Sequence, residues 1–262
     1  MSSTTSGGGR TRGTIVAAVV IFAVLILGLA SLTATPGGPS NAPVATPSTS
    51  ATDGAQTQMS PELERALLAL ARRDADDGSA VGRADAPVVM IEYADFQCAY
   101  CGKFARDTHP RLMKYVQDGT LRIEWRSFPI FGEESTAAAR AGYAAAQQGR
   151  FWEFYGIAFA KERKLNSGAF APGKLEKMAR EAGVPDLGRF RTDMESKAAK
   201  DAIDRDSQEG YAIGVTSTPA FLVNTQPILG AQPLEVFEAA IEQARSTAGK
   251  PTVTSAPEAT GQ

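Results

Sequence analysis

Cysteine and histidine are almost missing from this 262-residue chain, which holds two cysteines, Cys98 and Cys101, and one histidine, His109. That scarcity excludes zinc fingers, iron–sulfur clusters held by four thiolates and multi-histidine metal centres built from this chain alone. It also excludes a disulfide-rich mini-scaffold. An excess of one charge is missing too. The formal net charge is −2, so no basic face stands ready to neutralise nucleic-acid phosphates. There is no internal repeat. What is present is a core-forming composition, 43% apolar and 21% charged, in a length that suits one large domain or two small ones.

The ends differ from the middle. Residues 1–14 are Ser, Thr and Gly with Arg10 and Arg12. Residues 15–32, Ile15 to Leu32, then run without a charge. At about 1.5 Å per residue they nearly span a hydrocarbon core of roughly 30 Å. The basic flank precedes the run, which puts the N-terminus in the cytoplasm and the rest outside. Two readings stand: a transmembrane anchor, which the length favours, and a cleaved signal peptide ending near Gly28-Leu29-Ala30. Residues 33–59 are rich in Pro, Thr and Ser and hold no Leu, Ile or aromatic residue, as a disordered tether would. Residues 247–262 have a similar tail composition. The folded part is therefore expected over 60–246.

Within it, Ser60-Pro61-Glu62 is a helix start, with Leu63, Leu67 and Leu70 at helical spacing up to Arg73. Pro87 to Ala94 is apolar on both faces, as a central buried strand should be. A helix is expected from about Cys98 to Thr108, ended by Pro110. Leu121 to Trp125 alternates apolar residues with Arg122 and Glu124, which predicts a half-exposed strand. From Glu133 to Tyr211 the period is helical, broken at Gly149, Asn166-Ser167-Gly168, Gly183-Val184-Pro185 and near Ser196. Ala220 to Asn224 and Pro227 to Gly230 form a hairpin pair, and Pro233 to Ala244 a closing amphipathic helix. The layout is α/β with an all-helical insertion over about 132–212.

Two stretches have a familiar face. Ala94-Asp-Phe-Gln-Cys98-Ala-Tyr-Cys101 follows the buried strand, and Gly214-Val-Thr-Ser-Thr218-Pro219-Ala-Phe precedes a later one. Together they resemble the DsbA-like thioredoxin-fold family of exported thiol–disulfide oxidoreductases, of the membrane-tethered actinobacterial type. The resemblance implies a thioredoxin-like fold whose helical insertion lies between the strand after the CxxC helix and the strand that a cis-proline opens.

The cysteine pair has three readings of its own. A metal site needs more ligands than His109 can add, and that histidine reads as a surface residue at a helix end. A structural staple is weak, because closing so short a loop removes little unfolded-state entropy. The redox pair remains, with no cofactor beyond a Cys98–Cys101 disulfide. Cys98 at a helix N-terminus is favoured as the thiolate. Cys101, one turn inside, is the resolving thiol.

Glu92 is the anomaly of the buried strand. It either points to a wet sheet end or accepts the proton of Cys101, and the resemblance favours the second. The resemblance also implies that Pro219 is cis, packs beside the sulfurs and leaves the Thr218 backbone free to pair with an extended substrate. Phe96 and Tyr100 are candidates for an apolar substrate surface, with Phe128 and Phe131 near them. Most of the aromatics at 151–159 read as core.

The expected function is disulfide formation in exported proteins that carry cysteine thiols, outside the cell membrane. The implied reoxidant resembles DsbB or a vitamin K epoxide reductase-like quinone reductase. Rival readings are a reductase or isomerase, a non-catalytic chaperone of the same fold, and a Cu(I) metallochaperone. Ala99 stands where the family commonly has proline, which leaves the direction of electron flow open.

Overall fold

The computed structural model describes residues 59–248. The expected anchor, tether and most of the tail lie outside these residues. Among the described residues, no helix is long and apolar enough to cross a membrane.

A five-stranded mixed sheet forms the centre, in the order β1-β3-β2-β4-β5. Its strands are β1 (Ala80–Val81), β2 (Val88–Ala94), β3 (Leu121–Ser127), β4 (Ala220–Val223) and β5 (Gln226–Leu229). Only β2 and β3 run parallel; the other neighbours are antiparallel. The continuous apolar run of β2 is explained by its central place, buried along its whole length. A parallel pair needs a crossover, and here it is made by α2 (Ala99–Asp107) and α3 (His109–Gln117).

The helix expected up to Thr108 is thus followed by a second. Pro110 does not end a helix but sits in the first turn of α3, where its missing N–H costs nothing. Helix α1 (Pro61–Leu68) is capped by the Ser60 hydroxyl as expected. It stops short of Arg73 because the amides of Arg72 and Arg73 turn to donate to the Glu124 carboxylate, at 3.0 and 2.8 Å.

The insertion is all-helical: α4 (Glu133–Ala146), α5 (Phe151–Phe159), α6 (Pro172–Glu181), α7 (Leu187–Glu195) and α8 (Lys197–Ala212). Its breaks fall where the sequence places them. The hairpin β4–β5 and the final helix α9 (Leu234–Thr247) also match expectation.

Strand β3 does not. It is buried throughout, although its alternation is real. Leu121 and Ile123 pack into one apolar cluster and Trp125, on the same face, into the neighbouring one. Arg122, Glu124 and Arg126 face the other side, where α8 and the segment after α1 cover them. Glu124 pairs with Arg122 at 2.9 Å and Arg126 at 2.8 Å. Arg126 continues to Glu209 of α8 at 2.8 Å, and Arg72 bridges Glu209 and Asp206. The polar face is closed by countercharges rather than by water, which is how buried charges are tolerated.

Candidate active site

Strand β2 delivers the chain to the site. Beyond Ala94, the Asp95 carboxylate accepts from the amides of Gln97 and Ile130, each at 2.8 Å. The Gln97 side chain donates to Ser135 of α4 and to Asn166, and accepts from the Asn166 amide at 2.7 Å. These contacts tie the loop before Cys98 to the insertion. Sequence reasoning missed both residues. Their signal was two polar side chains between a buried strand and a helix cap.

Cys98 is the N-cap of α2, and its Sγ accepts from the Cys101 amide at 3.4 Å. The thiol also donates to the Thr218 carbonyl oxygen at 3.2 Å. The Cys101 thiol first, then Thr218 and the amides of Cys101 and Tyr100, outweigh burial and hold the Cys98 thiol down to about 6. The neighbouring sulfur and helix-start amides stabilise negative charge there. Cys101 is sealed, and burial followed by the Cys98 sulfur pushes its thiol well above the ordinary range. Both cysteines are reduced in the structure.

The Thr218–Pro219 peptide bond is cis. Pro219 is buried beside β4 and Thr218 half-buried. Tyr100 is 65% exposed next to Cys98. Phe96 departs from expectation. It is 4% exposed, stacked on Trp125 and Phe159 at ring-centroid distances of 4.9 and 5.2 Å. A Cβ on Gly142 of α4 would come within 2.9 Å of its ring. The approach of α4 and α5 takes Phe96 into the core and away from any surface.

Glu92 is wholly buried, and neither carboxyl oxygen has a hydrogen-bond partner. The reading of a wet sheet end is therefore overturned. Burial, above all, raises its carboxyl to about 8. His109, at the start of α3, is half-buried rather than a surface residue. Its ring stacks on Trp152 at 5.1 Å and leans on Tyr155 at 5.2 Å. Burial lowers it to about 4, so the ring is neutral at neutral pH.

Little empty space adjoins Cys98: the recess between α2 and the end of α5 measures about 10 Å³. A larger cavity of about 730 Å³, lined by Arg72, Asp74, Tyr143 and Asp206 among others, contains neither cysteine. The sulfur pair thus sits under an open surface rather than in a small-molecule pocket. Among the described residues, no group of three or more His, Cys, Asp or Glu side chains converges as a metal site.

The comparisons agree with this geometry. A family model described as thioredoxin matches residues 74–243. The chain is 30% identical over 149 residues to a probable disulfide bond formation protein D of Bacillus cereus, covering 55% of this chain and 68% of that one. It is 32% identical over 177 residues to the Na(+)/H(+) antiporter NhaA 3 of Salinispora tropica, covering 67% of this chain. The match spans about a quarter of that antiporter's length (26%). Among solved structures, BdbD from Bacillus subtilis superposes with a TM-score of 0.60 at 22% identity, over 64% of this chain and 92% of that one. A thioredoxin-like oxidoreductase from Silicibacter pomeroyi gives 0.58 at 26% identity, over 72% and 99%. With a CxxC pair capping α2 and a cis-proline beside it, the chain belongs to the thioredoxin family, in its DsbA-like branch.

Proposed function

We propose that this chain is an extracytoplasmic thiol–disulfide oxidoreductase that forms disulfide bonds in exported proteins. The reading rests chiefly on one observation: Cys98 caps the start of α2, its Sγ between the Cys101 amide and the Thr218 carbonyl, three residues before the wholly buried Cys101. Such asymmetry separates an attacked and leaving sulfur from a resolving one.

In the forward direction a client thiolate attacks Cys98 of the oxidised pair. A Cys98–client disulfide forms, the Cys98–Cys101 bond breaks, and Cys101 leaves as a thiolate that takes up a proton. Glu92, neutral near pH 7, is the proton source; as a carboxylate it receives the proton back on reoxidation. A second client thiol then displaces Cys98 as a low-pKa leaving group. The Thr218 backbone, beside the sulfur, pairs with the extended client, and Tyr100 supports it from the exposed side. A membrane quinone reductase resembling DsbB or vitamin K epoxide reductase reoxidises the pair. The apolar run at 15–32 anchors the chain.

The test combines trapping with a potential. Cys101→Ala retains client mixed disulfides, and Cys98→Ala retains none. A reduction potential of about −120 mV supports the oxidase, and one of about −270 mV a reductase instead. A chain that traps no clients and binds Cu(I) through both thiols overturns the reading.

A further inference from the structure

Buried polar atoms without partners concentrate in one part of this molecule. Among the described residues seven atoms share this condition: Arg140 Nε and Thr218 Oγ1 stand apart, and the other five are both Glu92 oxygens, the Tyr155 hydroxyl, His109 Nε2 and Trp152 Nε1. Native cores leave few such atoms, and each calls for an explanation. These five belong to β2, α3 and α5, and they lie on one side of the sheet.

Register places them together. Glu92 pairs with Trp125 on β3 and with Phe221 on β4, so the three side chains share a face. Phe104 of α2 covers Phe221, with ring centroids 4.4 Å apart. Tyr155 of α5 covers Trp125 edge-on at 5.7 Å. Glu92 therefore lies between the helix that carries Cys101 and the insertion helix that carries Tyr155. Phe237 of α9 adds only apolar cover beyond Phe104. The titratable groups around Glu92 are Cys98 and Cys101 from α2 and Tyr155 from α5, with His109 of α3 behind the tyrosine ring.

We propose that Tyr155 is a positioning residue for Glu92: its hydroxyl, unpartnered beside an equally unpartnered carboxyl in the structure, turns to donate once that carboxyl ionises to take the Cys101 proton, so the helical insertion sets when the resolving thiol is activated. This rests on the reading of Glu92 as the proton acceptor of Cys101. Burial first, and then the charge of the Cys98 sulfur, drive the Glu92 carboxyl upward, and a Tyr155 hydroxyl turned towards it opposes that rise. A donor held in a dry aromatic wall favours the charged carboxylate. His109 is neutral at working pH and adds no competing charge.

The reduced protein is mixed with Ellman's reagent, and release of the coloured thionitrobenzoate is followed by stopped flow from pH 5 to 10. Cys98 thiolate first displaces one thionitrobenzoate and keeps the other as a mixed disulfide. Cys101 then attacks Cys98 Sγ: the Cys98–Cys101 bond forms, the second thionitrobenzoate leaves with the electron pair, and the Cys101 proton passes to Glu92. The rate of this second release reports the Glu92 titration.

Tyr155→Phe keeps the ring packing and removes the hydroxyl. The midpoint of the second phase moves up by about one pH unit, from the worth of a hydrogen bond to a charged group. The rate falls about tenfold at pH 7 and reaches the parent plateau at high pH. Fluorotyrosine at position 155, a more acidic donor, moves the midpoint down, and it also serves if the phenylalanine variant does not fold. In a Glu92→Gln background neither change moves the profile. An unmoved midpoint in both Tyr155 variants, with Glu92→Gln still impaired, overturns the proposal. A Glu92→Gln protein with the parent profile overturns the proton-acceptor reading itself.

Discussion

The Cys98 thiol reaches across 120 residues of sequence to the Thr218 carbonyl oxygen, 3.2 Å away. The contact joins the start of α2 to the loop that enters β4. It also exposes the reduced site to a conflict. The carbonyl suits the thiol, whereas the Cys101 group and the helix-start amides suit the thiolate, and the second set prevails.

Reaction of the reduced protein with iodoacetamide is accordingly expected to rise with a midpoint near pH 6, at Cys98 alone. Cys101, buried and held high, stays unmodified at neutral pH by mass spectrometry. The stability of the reduced form follows the same group. Its thiol is depressed on folding, so the thiolate's stabilisation is complete above the unfolded value near 9 and is lost as pH falls towards 6. Urea midpoints of the reduced protein, compared with Cys98→Ala, rise between pH 6 and 9.

Thr218→Val tests the other side of this contact. It removes the hydroxyl and keeps the backbone and its carbonyl. The hydroxyl is buried without a hydrogen-bond partner in the reduced protein, yet Thr218 is among the groups lowering the Cys98 thiol; if the hydroxyl turns to the thiolate, its loss raises the iodoacetamide midpoint by up to about one pH unit. An unchanged midpoint shows that the amides and Cys101 carry the whole effect.

Much of this site is legible in the sequence, for specific reasons. Strand β2 is apolar on both faces, so Glu92 stands out against Val88, Met90 and Ile91. Cys98 and Cys101 are alone in the chain, which reduces the choice of chemistry. Strand β3 is harder to read. Alternation reports that its two faces differ and not that one of them meets water; the partner that closes Arg126 is Glu209, 83 residues away. His109 fails for a similar reason. Its neighbours in sequence are polar, and its burial comes from Trp152 and Tyr155, which arrive with the insertion. Phe96 looks like part of a site because it adjoins Cys98, yet the approach of α4 at Gly142 draws it inward.

Glu92 carries a stability signature opposite to that of Cys98. Its carboxyl is raised to about 8 from an ordinary value near 4.5, so the folded protein binds a proton that the unfolded chain releases. Its contribution is neutral below about pH 4.5 and turns increasingly unfavourable as pH rises towards 8. Glu92→Gln removes that slope. From 1.36 kcal/mol per pH unit, the relief is about 2 kcal/mol at pH 6 and about 3 kcal/mol at pH 7, before any cost of burying the amide. Denaturant unfolding of parent and variant across pH 5–8 checks the divergence. Parallel curves would mean that the carboxyl is not raised.

Glu124 makes the reverse case on the far face of the sheet. Burial opposes its charge, but Arg122, Arg126 and the Arg73 amide overcome burial and bring the carboxyl down to about 2. Its depressed value contributes stability that is complete above about pH 4.5 and is lost as pH falls towards 2. Glu124→Gln leaves the Arg122 and Arg126 guanidiniums buried with one countercharge fewer, and Arg126 is then held by Glu209 alone among the carboxylates it touches. Removing one partner of a buried pair costs about 3–5 kcal/mol. The loss at pH 7 is expected in that range, and it narrows as both proteins approach pH 2, because the parent carboxylate is then protonated too. The arginines remain charged throughout, so no second titration hides the trend. Urea unfolding at pH 7, 4 and 2.5 measures it. A deficit that stays constant down to pH 2.5 would assign the loss to packing rather than to charge. The active site on the opposite face gives an internal control, since the Cys98 titration is expected to remain near pH 6 in the folded variant.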